Sequence, residues 1–352
     1  MKKLVILIAI VLFSCKPTNF QRENASKFYN PIVQIDTIFI DSISIRAILV
    51  DKNKVWFAAN NNRFGYYDLN KKSKVQNSIF NDSLTLEFRS IAQTSQNIFI
   101  LSVGNPALLY KISKKNQNPV LVYQEKGEKV FYDSMQFWNE TDGIAIGDPT
   151  DNCFSVLITH DGGNSWKKST CSDFPKLADG EAAFAGSNTN VVCRGSKIFI
   201  VSGGKKARVF VSENDGISWQ VFDTPIIQGE AMTGIFSADF FNENVGFVVG
   251  GNYENQSDNG SNKAITFDGG KSWRLVSENA AFGYASCVQF LPDCNGEKLV
   301  SVGTSGVYYS KNQGENWSKI SNDPDLYTLR FQNKSTFFAA GKNKLIRVQL
   351  KK

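Results

Sequence analysis

The chemistry open to this chain of 352 residues is limited first by its single histidine, His160. Ser–His–Asp and Cys–His catalysis both need an imidazole held beside the nucleophile. His160 falls instead inside the turn motif Thr159-His160-Asp161-Gly162-Gly163, expected on an exposed hairpin. The commonest metal ligand is lost with it, and none of the cysteine spacings is a zinc pattern. No Gly-x-Gly-x-x-Gly turn links a strand to a helix, so no dinucleotide site is expected. The sequence thus predicts no metal, no cofactor and no catalytic residue.

What remains is charge placed at intervals. Apolar anchors recur at Ile48, Ile91, Met135, Ala183, Ala238, Val288 and Leu329, spaced 41 to 55 residues apart. Two positions before each stand Arg46, Arg89, Asp133, Glu181, Phe236, Ser286 and Tyr327. Four of these are charged, at the start of strands otherwise rich in apolar residues. Loops expected at the same end carry Arg63, Asp148, Lys205, Lys206 and Arg208, together with the Asn/Gly/Ser-rich stretch Gly251–Asn262. Both sets converge on one candidate binding face, suited to an acidic or amphoteric ligand or a peptide segment. The competing expectation is that these charges pair with each other and only satisfy the core, since buried charges need partners.

The elements that would hold this face are short strands. One motif recurs four times with a shared spacing: a hydroxyl residue, Asp or Asn two later, Gly two after that, and Trp three further on. The copies place Asp161, Gly163 and Trp166; Asn214, Gly216 and Trp219; Asp268, Gly270 and Trp273; and Asn312, Gly314 and Trp317. The carboxylate or amide accepts from nearby backbone N–H groups, Gly takes a turn conformation closed to other residues, and Trp folds over the hairpin. A repeat of this period built of short strands marks propeller blades. The predicted fold is all-β, a seven-bladed β-propeller of four-stranded blades occupying residues 31–352 as one domain. The last repeat supplies three strands, near Leu326–Phe331, Thr336–Gly341 and Leu345–Leu350, and the segment Pro31–Ile40 is expected to close the ring as the fourth.

The four motif copies resemble the Asp-box (BNR) repeats shared by sialidases, sortilin-type receptors and propellers similar to photosystem II assembly factors. The segments Phe88-Arg89-Ser90-Ile91, Gly180-Glu181-Ala182-Ala183-Phe184 and Ala207-Arg208-Val209-Phe210 look most like the bacterial relatives of the last group. That resemblance implies a binding or assembly platform without catalysis, whereas the sialidase branch would imply a protein that binds or cleaves glycans. Sialidase chemistry needs several arginines on one carboxylate and a Tyr nucleophile with a Glu partner. Here only Arg46 and Arg89 occupy matching repeat positions, and the Asp box itself supplies none of these groups. A fold resemblance is specific for architecture and says little about activity.

The N-terminal residues read as an address. Lys2 and Lys3 precede an apolar run, Leu4–Phe13, too short for a spanning helix, which needs about 20 residues. The run ends in Leu12-Phe13-Ser14-Cys15, which resembles a lipoprotein lipobox. Residues 1–14 are expected to be a signal peptide, Cys15 the lipidated residue, and 15–30 a tether to the bacterial cell envelope. Cysteine use fits an oxidising compartment. Cys153 and Cys171 each lie nine residues from Gly162, so a hairpin centred there brings them face to face for a disulfide. Cys287 and Cys294 could pair across a shorter loop, leaving Cys193 as a buried thiol. The net charge of +6 is dilute over this length and lacks the concentrated basic stripe of a nucleic-acid binder. The expected partner is an envelope protein or peptide, with the chain itself a monomer.

Overall fold

The computed structural model describes residues 31–80 and 84–351. Cys15 and the expected signal peptide and tether lie outside the described residues. Among those described, every regular element is a β-strand, and no helix is long and apolar enough to cross a membrane. Each repeat winds outward from a central axis. The plainest example runs through Phe88–Gln93, Asn97–Ser102, Ala107–Ser113 and Pro119–Glu125, all antiparallel neighbours. The inner strands are almost wholly buried and the outer ones alternate or face water, as expected of a sheet packed on both faces near its axis.

Among the described residues the strands form six sheets, so the propeller has six blades, which corrects the expectation of seven. Four sheets have four strands and two have six. The cause of the shared sheet is continuity of backbone. The strand Ile32–Asp51 pairs through Ile32–Ser44 with Thr336–Lys351 and through Ile45–Asp51 with Lys54–Ala59. The anchors Ile48 and Leu329 therefore sit in one sheet, and the N-terminal segment supplies the strand that closes the ring. In the second six-stranded sheet, the short strands Glu181–Ala182 and Gly203–Gly204 bridge onto Thr233–Phe240.

Apolar side chains fill the wedges between neighbouring sheets. Trp56, Phe88 and Ile100 are fully buried in one such wedge, with Tyr110 almost so. Each large side chain removed from water contributes about 1.5–3 kcal/mol. The Asp-box tryptophans serve the same seams. Trp166 lies edge-on to both Phe99 and Phe137, at 6.4 and 5.6 Å, and Trp317 to Phe247 and Phe282, at 5.9 and 5.0 Å.

The fourth repeat breaks the pattern. Its predicted anchor, Ala183, is buried but stands between strands, whereas Val191 opens the strand Val191–Arg194. The hydrogen bonds fix the equivalence. Gln136 accepts from the Cys193 amide at 3.1 Å as Gln289 accepts from Phe331 at 3.3 Å and Asp239 from Phe290 at 2.8 Å. Cys193 thus matches Phe290 and Phe331, each two residues beyond its anchor, and Val191 is the true anchor.

The intervening residues, Gly186 to Asn190, cross the axis and bond to all the other axis strands. Arg46 donates to the Gly186 carbonyl at 3.4 Å. The Ser187 hydroxyl donates to Ser286 O at 2.6 Å, while Ser187 O accepts from Thr328 and Arg330, both at 3.2 Å. Asn188 donates to Ile91 O at 2.8 Å and accepts from Met135 N at 2.9 Å. Thr189 donates to Ser237 at 2.8 Å, and its carbonyl accepts from Ala238 N. This plug is buried from Ser187 to Asn190 and separates the two mouths of the propeller.

Candidate functional site

All four Asp boxes form as the local chemistry requires. In the first, the Thr159 hydroxyl donates to Asp161 at 2.9 Å and accepts from Gly163 N at 3.0 Å, while Asp161 accepts from Ser165 N at 3.0 Å. The others repeat it with Ser212 and Asn214, Thr266 and Asp268, and Ser310 and Asn312. Trp219, Trp273 and Trp317 donate their indole N–H to the motif glycine's carbonyl at 3.1, 2.9 and 2.9 Å; the Trp166 indole finds no such partner. The bonds from Ser165, Thr159 and Asn164 overcome the desolvation of Asp161 and hold its carboxyl down at about 2. These are folding devices. His160 is exposed beside Asp142, its Nδ1 2.6 Å from Oδ1.

The predicted face is assembled only in part. Arg46, Arg89 and Asp148 line one hollow of about 410 Å³, together with Ala183–Gly186, which lead into the plug, and with Phe236, Tyr253 and Tyr284. Asp133 lies fully buried in the adjoining strand, Tyr132–Phe137. Glu181 is elsewhere. Its carboxylate, with no exposed side-chain surface, pairs with Arg208 at 2.5 Å and accepts from Ser202 Oγ at 2.6 Å and Ala178 N at 2.8 Å. The sequence places it at the start of an axis strand two residues before the expected anchor Ala183. With Val191 in that role, Thr189 takes the place, and Glu181 and Arg208 form a satisfied internal pair.

The remaining expected cations do not converge. Arg63 donates to Ser42 O at 2.7 Å and lies 3.9 Å from Asp41. Lys205 and Lys206 are largely exposed, near Asp179 and Asp223 at 4.0 and 3.8 Å. The stretch Gly251–Asn262 is pinned by Gln256 O to Tyr284 N and by buried Asn262 to the carbonyls of Phe282 and Gly283. It contributes Tyr253 to the hollow.

Two arginines in the hollow differ in how they are held. Arg89 donates its Nε–H to Glu87 at 2.8 Å. Arg46 has no ion pair among the described residues: its guanidinium lies 4.2 Å over the Tyr327 ring, it makes the one long bond to Gly186, and its Nε is unpaired. A guanidinium stacked this way stays charged and keeps its fork of donors for a planar carboxylate. The aromatic wall is continuous. Phe236 stacks on Phe184 at 3.9 Å and meets Tyr284 edge-on at 4.8 Å, and Tyr253 meets Tyr284 at 5.1 Å. The expectation that all the charges satisfy one another therefore fails at Arg46 and at Asp133, whose oxygens have no partner at hydrogen-bond geometry.

Burial, reinforced by the neighbouring Asp148, raises the Asp133 carboxyl well above the ordinary range, against weaker pulls from Arg89 and the Ala185 amide. Burial also pushes Asp148 up to about 6, with the Ala183 amide pulling the other way at 3.1 Å. Asp148 also lines a second hollow of about 690 Å³ with Asp151, Asp179 and Glu181, so the two hollows share a wall. Sequence reasoning missed the tyrosines and the plug, because the spacing of anchors carries no signal for either.

The opposite mouth holds a hollow of about 260 Å³ bounded by Gln93, Gln136, Asp239, Gln289 and Arg330. Arg194 and Asp239 pair there at 2.8 Å, and the Gln136, Asp239 and Gln289 side chains staple one axis strand to the next. No cluster of three or more His, Cys, Asp or Glu fit to hold a metal occurs among the described residues. Cys153 and Cys171 form a disulfide, just beyond the paired ends of Ser155–Thr159 and Lys167–Lys168. Cys287 and Cys294 do not pair. Cys287 is buried inside a strand facing Leu329 O, while Cys294 Sγ turns to Leu291 O at 2.8 Å. Cys193 is a buried thiol, pushed up to about 12 by desolvation.

The fold is a β-propeller whose hairpins carry the Asp-box turn, and the BNR/Asp-box repeat model matches residues 308–319. No curated protein matches the sequence. Among solved structures the chain is similar to "YCF48 bound to D1 peptide", with a TM-score of 0.63 at 13% identity over 92% of this chain and 98% of that one. It is similar also to "YCF48 from Cyanidioschyzon merolae", with a TM-score of 0.64 at 11% identity over 90% and 98%. "Crystal structure of RRP9 WD40 repeats" matches with 0.63 at 14% identity over 90% and 97%. At such identities the likeness is one of fold.

Proposed function

We propose that this chain is a non-catalytic binding platform whose Arg46 mouth captures a peptide segment through a carboxylate, and that Cys15 tethers it by lipid to a bacterial cell envelope. The carrying observation is Arg46 itself: a charged guanidinium without a carboxylate partner among the described residues, stacked on Tyr327 beside an aromatic wall. A pocket that joins a few fixed polar groups to aromatic surface is the usual form of a ligand site. The YCF48 structure bound to a peptide supports the reading at the level of fold. Sialidase chemistry is less well served. The hollow offers two arginines, and its tyrosines stand without a glutamate among the lining residues.

The test is an array of short peptides in three forms, with a free C-terminal carboxylate, with an amidated C-terminus, and amidated with one internal Glu. Binding of one carboxylate form, lost with Arg46→Ala and Arg89→Ala together while the fold is unchanged by circular dichroism, is the expected result. Equal binding by the double variant refutes the site. Lipidation is checked separately by metabolic labelling with an alkynyl fatty acid, which Cys15→Ser should abolish.

A further inference from the structure

Asp148 and Asp133 are an unusual pair to find beside an anion site. Asp133 is fully buried, and its two oxygens have no partner at full hydrogen-bond geometry among the described residues. Asp148 lies at the junction of the two hollows, in the wall that carries Arg46 and Arg89. An ionised carboxylate in such a place is held against a large desolvation cost, and two neighbouring carboxyls resist ionising together. They titrate as a unit.

The charged groups that face the pair do not cancel it. Arg89, on the preceding repeat's axis strand, is shared with Glu87. Arg46, one strand further round, stacks on the Tyr327 ring and keeps its free donors for a ligand. Lys129, Asp151 and Asp179 border the second hollow, and Glu181 is already neutralised by Arg208. Tyr253 and Tyr284 face the pair's hollow from the far wall, and burial raises Tyr284 above the ordinary phenol range, so it stays neutral.

We propose that Asp148, backed by Asp133, is a proton-titrated specificity group of this hollow, admitting an aromatic, anion-bearing ligand tightly only when the pair is protonated. The proposal rests on the Arg46 reading above. With Asp148 ionised, a bound anion meets a like charge beside the two arginines; with it neutral, the arginines act unopposed, and the neutral carboxyl can donate a hydrogen bond. Binding therefore takes up a proton, and affinity rises as pH falls through the Asp148 titration. Each unit by which the anion raises the Asp148 pKa is worth about tenfold in affinity between the two limits.

The probe is 3-phenylpropane-1-sulfonate, a ring joined to an anion that stays ionised throughout, titrated calorimetrically at about pH 5.5 and about pH 8. Expected are roughly tenfold tighter binding at the lower pH, net proton uptake, and an Asp148→Asn variant that binds at both pH values as wild type does in acid. Equal affinity and no proton uptake in wild type overturn the proposal, as does an Asp148→Asn variant that keeps the pH slope. Arg46→Ala should weaken binding at both pH values. No binding at any pH refutes the anion-site reading, and the proposal with it. A ligand-free carboxyl ¹³C titration then separates the two failures: an Asp148 midpoint near 6 keeps the titrating pair, and one in the ordinary carboxylate range removes it.

Discussion

Asn188→Ala should cost this propeller more than any exposed substitution, because one amide side chain closes two buried backbone groups on different sheets. Its Nδ2 donates to Ile91 O at 2.8 Å and its Oδ1 accepts from Met135 N at 2.9 Å. Removing it leaves a buried carbonyl and a buried N–H unpaired, at about 1–3 kcal/mol each. Asn188 also stands at φ of 59°, in the left-handed region, where Asn is tolerated better than Ala, which adds roughly 1 kcal/mol. The expected loss is about 4 kcal/mol. Asn188→Gly, free of the backbone strain, should lose about 1 kcal/mol less and so isolates the hydrogen-bond share. Urea unfolding followed by tryptophan fluorescence reads both values. A loss below about 1 kcal/mol for Asn188→Ala would refute the view that the plug ties the sheets together.

Three further perturbations test separate parts of the structure. Gly163→Ala places a Cβ against the Phe99 ring at φ of +72° and should destabilise by about 2 kcal/mol or more, with a lower Tm and loss of the Trp166 near-ultraviolet signal. Replacing Cys153 and Cys171 together by Ser removes a link spanning 18 residues and should cost about 3 kcal/mol, while making Tm insensitive to reductant. Asp148→Asn should stabilise the protein at neutral pH by roughly 2–3 kcal/mol, since the folded-state value of about 6 exceeds the ordinary one. A raised acid pKa means the folded form holds more protons between about 4 and 6, so its contribution is greatest below about 4 and is lost as pH rises through about 6. The difference between wild type and variant should follow that curve; a difference independent of pH would refute the assignment.

The turns were legible because their chemistry is local. Thr159, Asp161 and Gly163 close their own ring of bonds within five residues, and the sequence alone fixes that geometry. Six of the seven anchors fall on axis strands for a similar reason, since strand alternation and period repeat with little reference to neighbours. Ala183 is not the anchor because Gly186 to Asn190 reads as a polar turn, whereas the Ser187, Asn188 and Thr189 side chains reach partners up to 99 positions away and the Ser187 carbonyl accepts from Arg330, 143 positions on. That shift moved Glu181 out of the binding face. The sheet count departed from the repeat count because two long strands carry pairing from the last repeat into the first, which a period cannot show. At the site, residue type gave the charges of Arg46, Arg89 and Asp148 but not which were already neutralised. That depends on contacts such as Arg208 with Glu181, made between segments 27 residues apart.

The plug also constrains how this fold can change. Repeat architectures ordinarily grow or shrink by whole units, because each unit touches only its neighbours. Here one unit lends its own residues to the axis, and each hydrogen-bonding group of Ser187, Asn188 and Thr189 addresses a particular strand. Deleting or duplicating a repeat would strand some of those groups and leave others competing for one partner. Ring size is thus written into a five-residue segment, and variation in this protein is channelled into its rim loops and its two mouths.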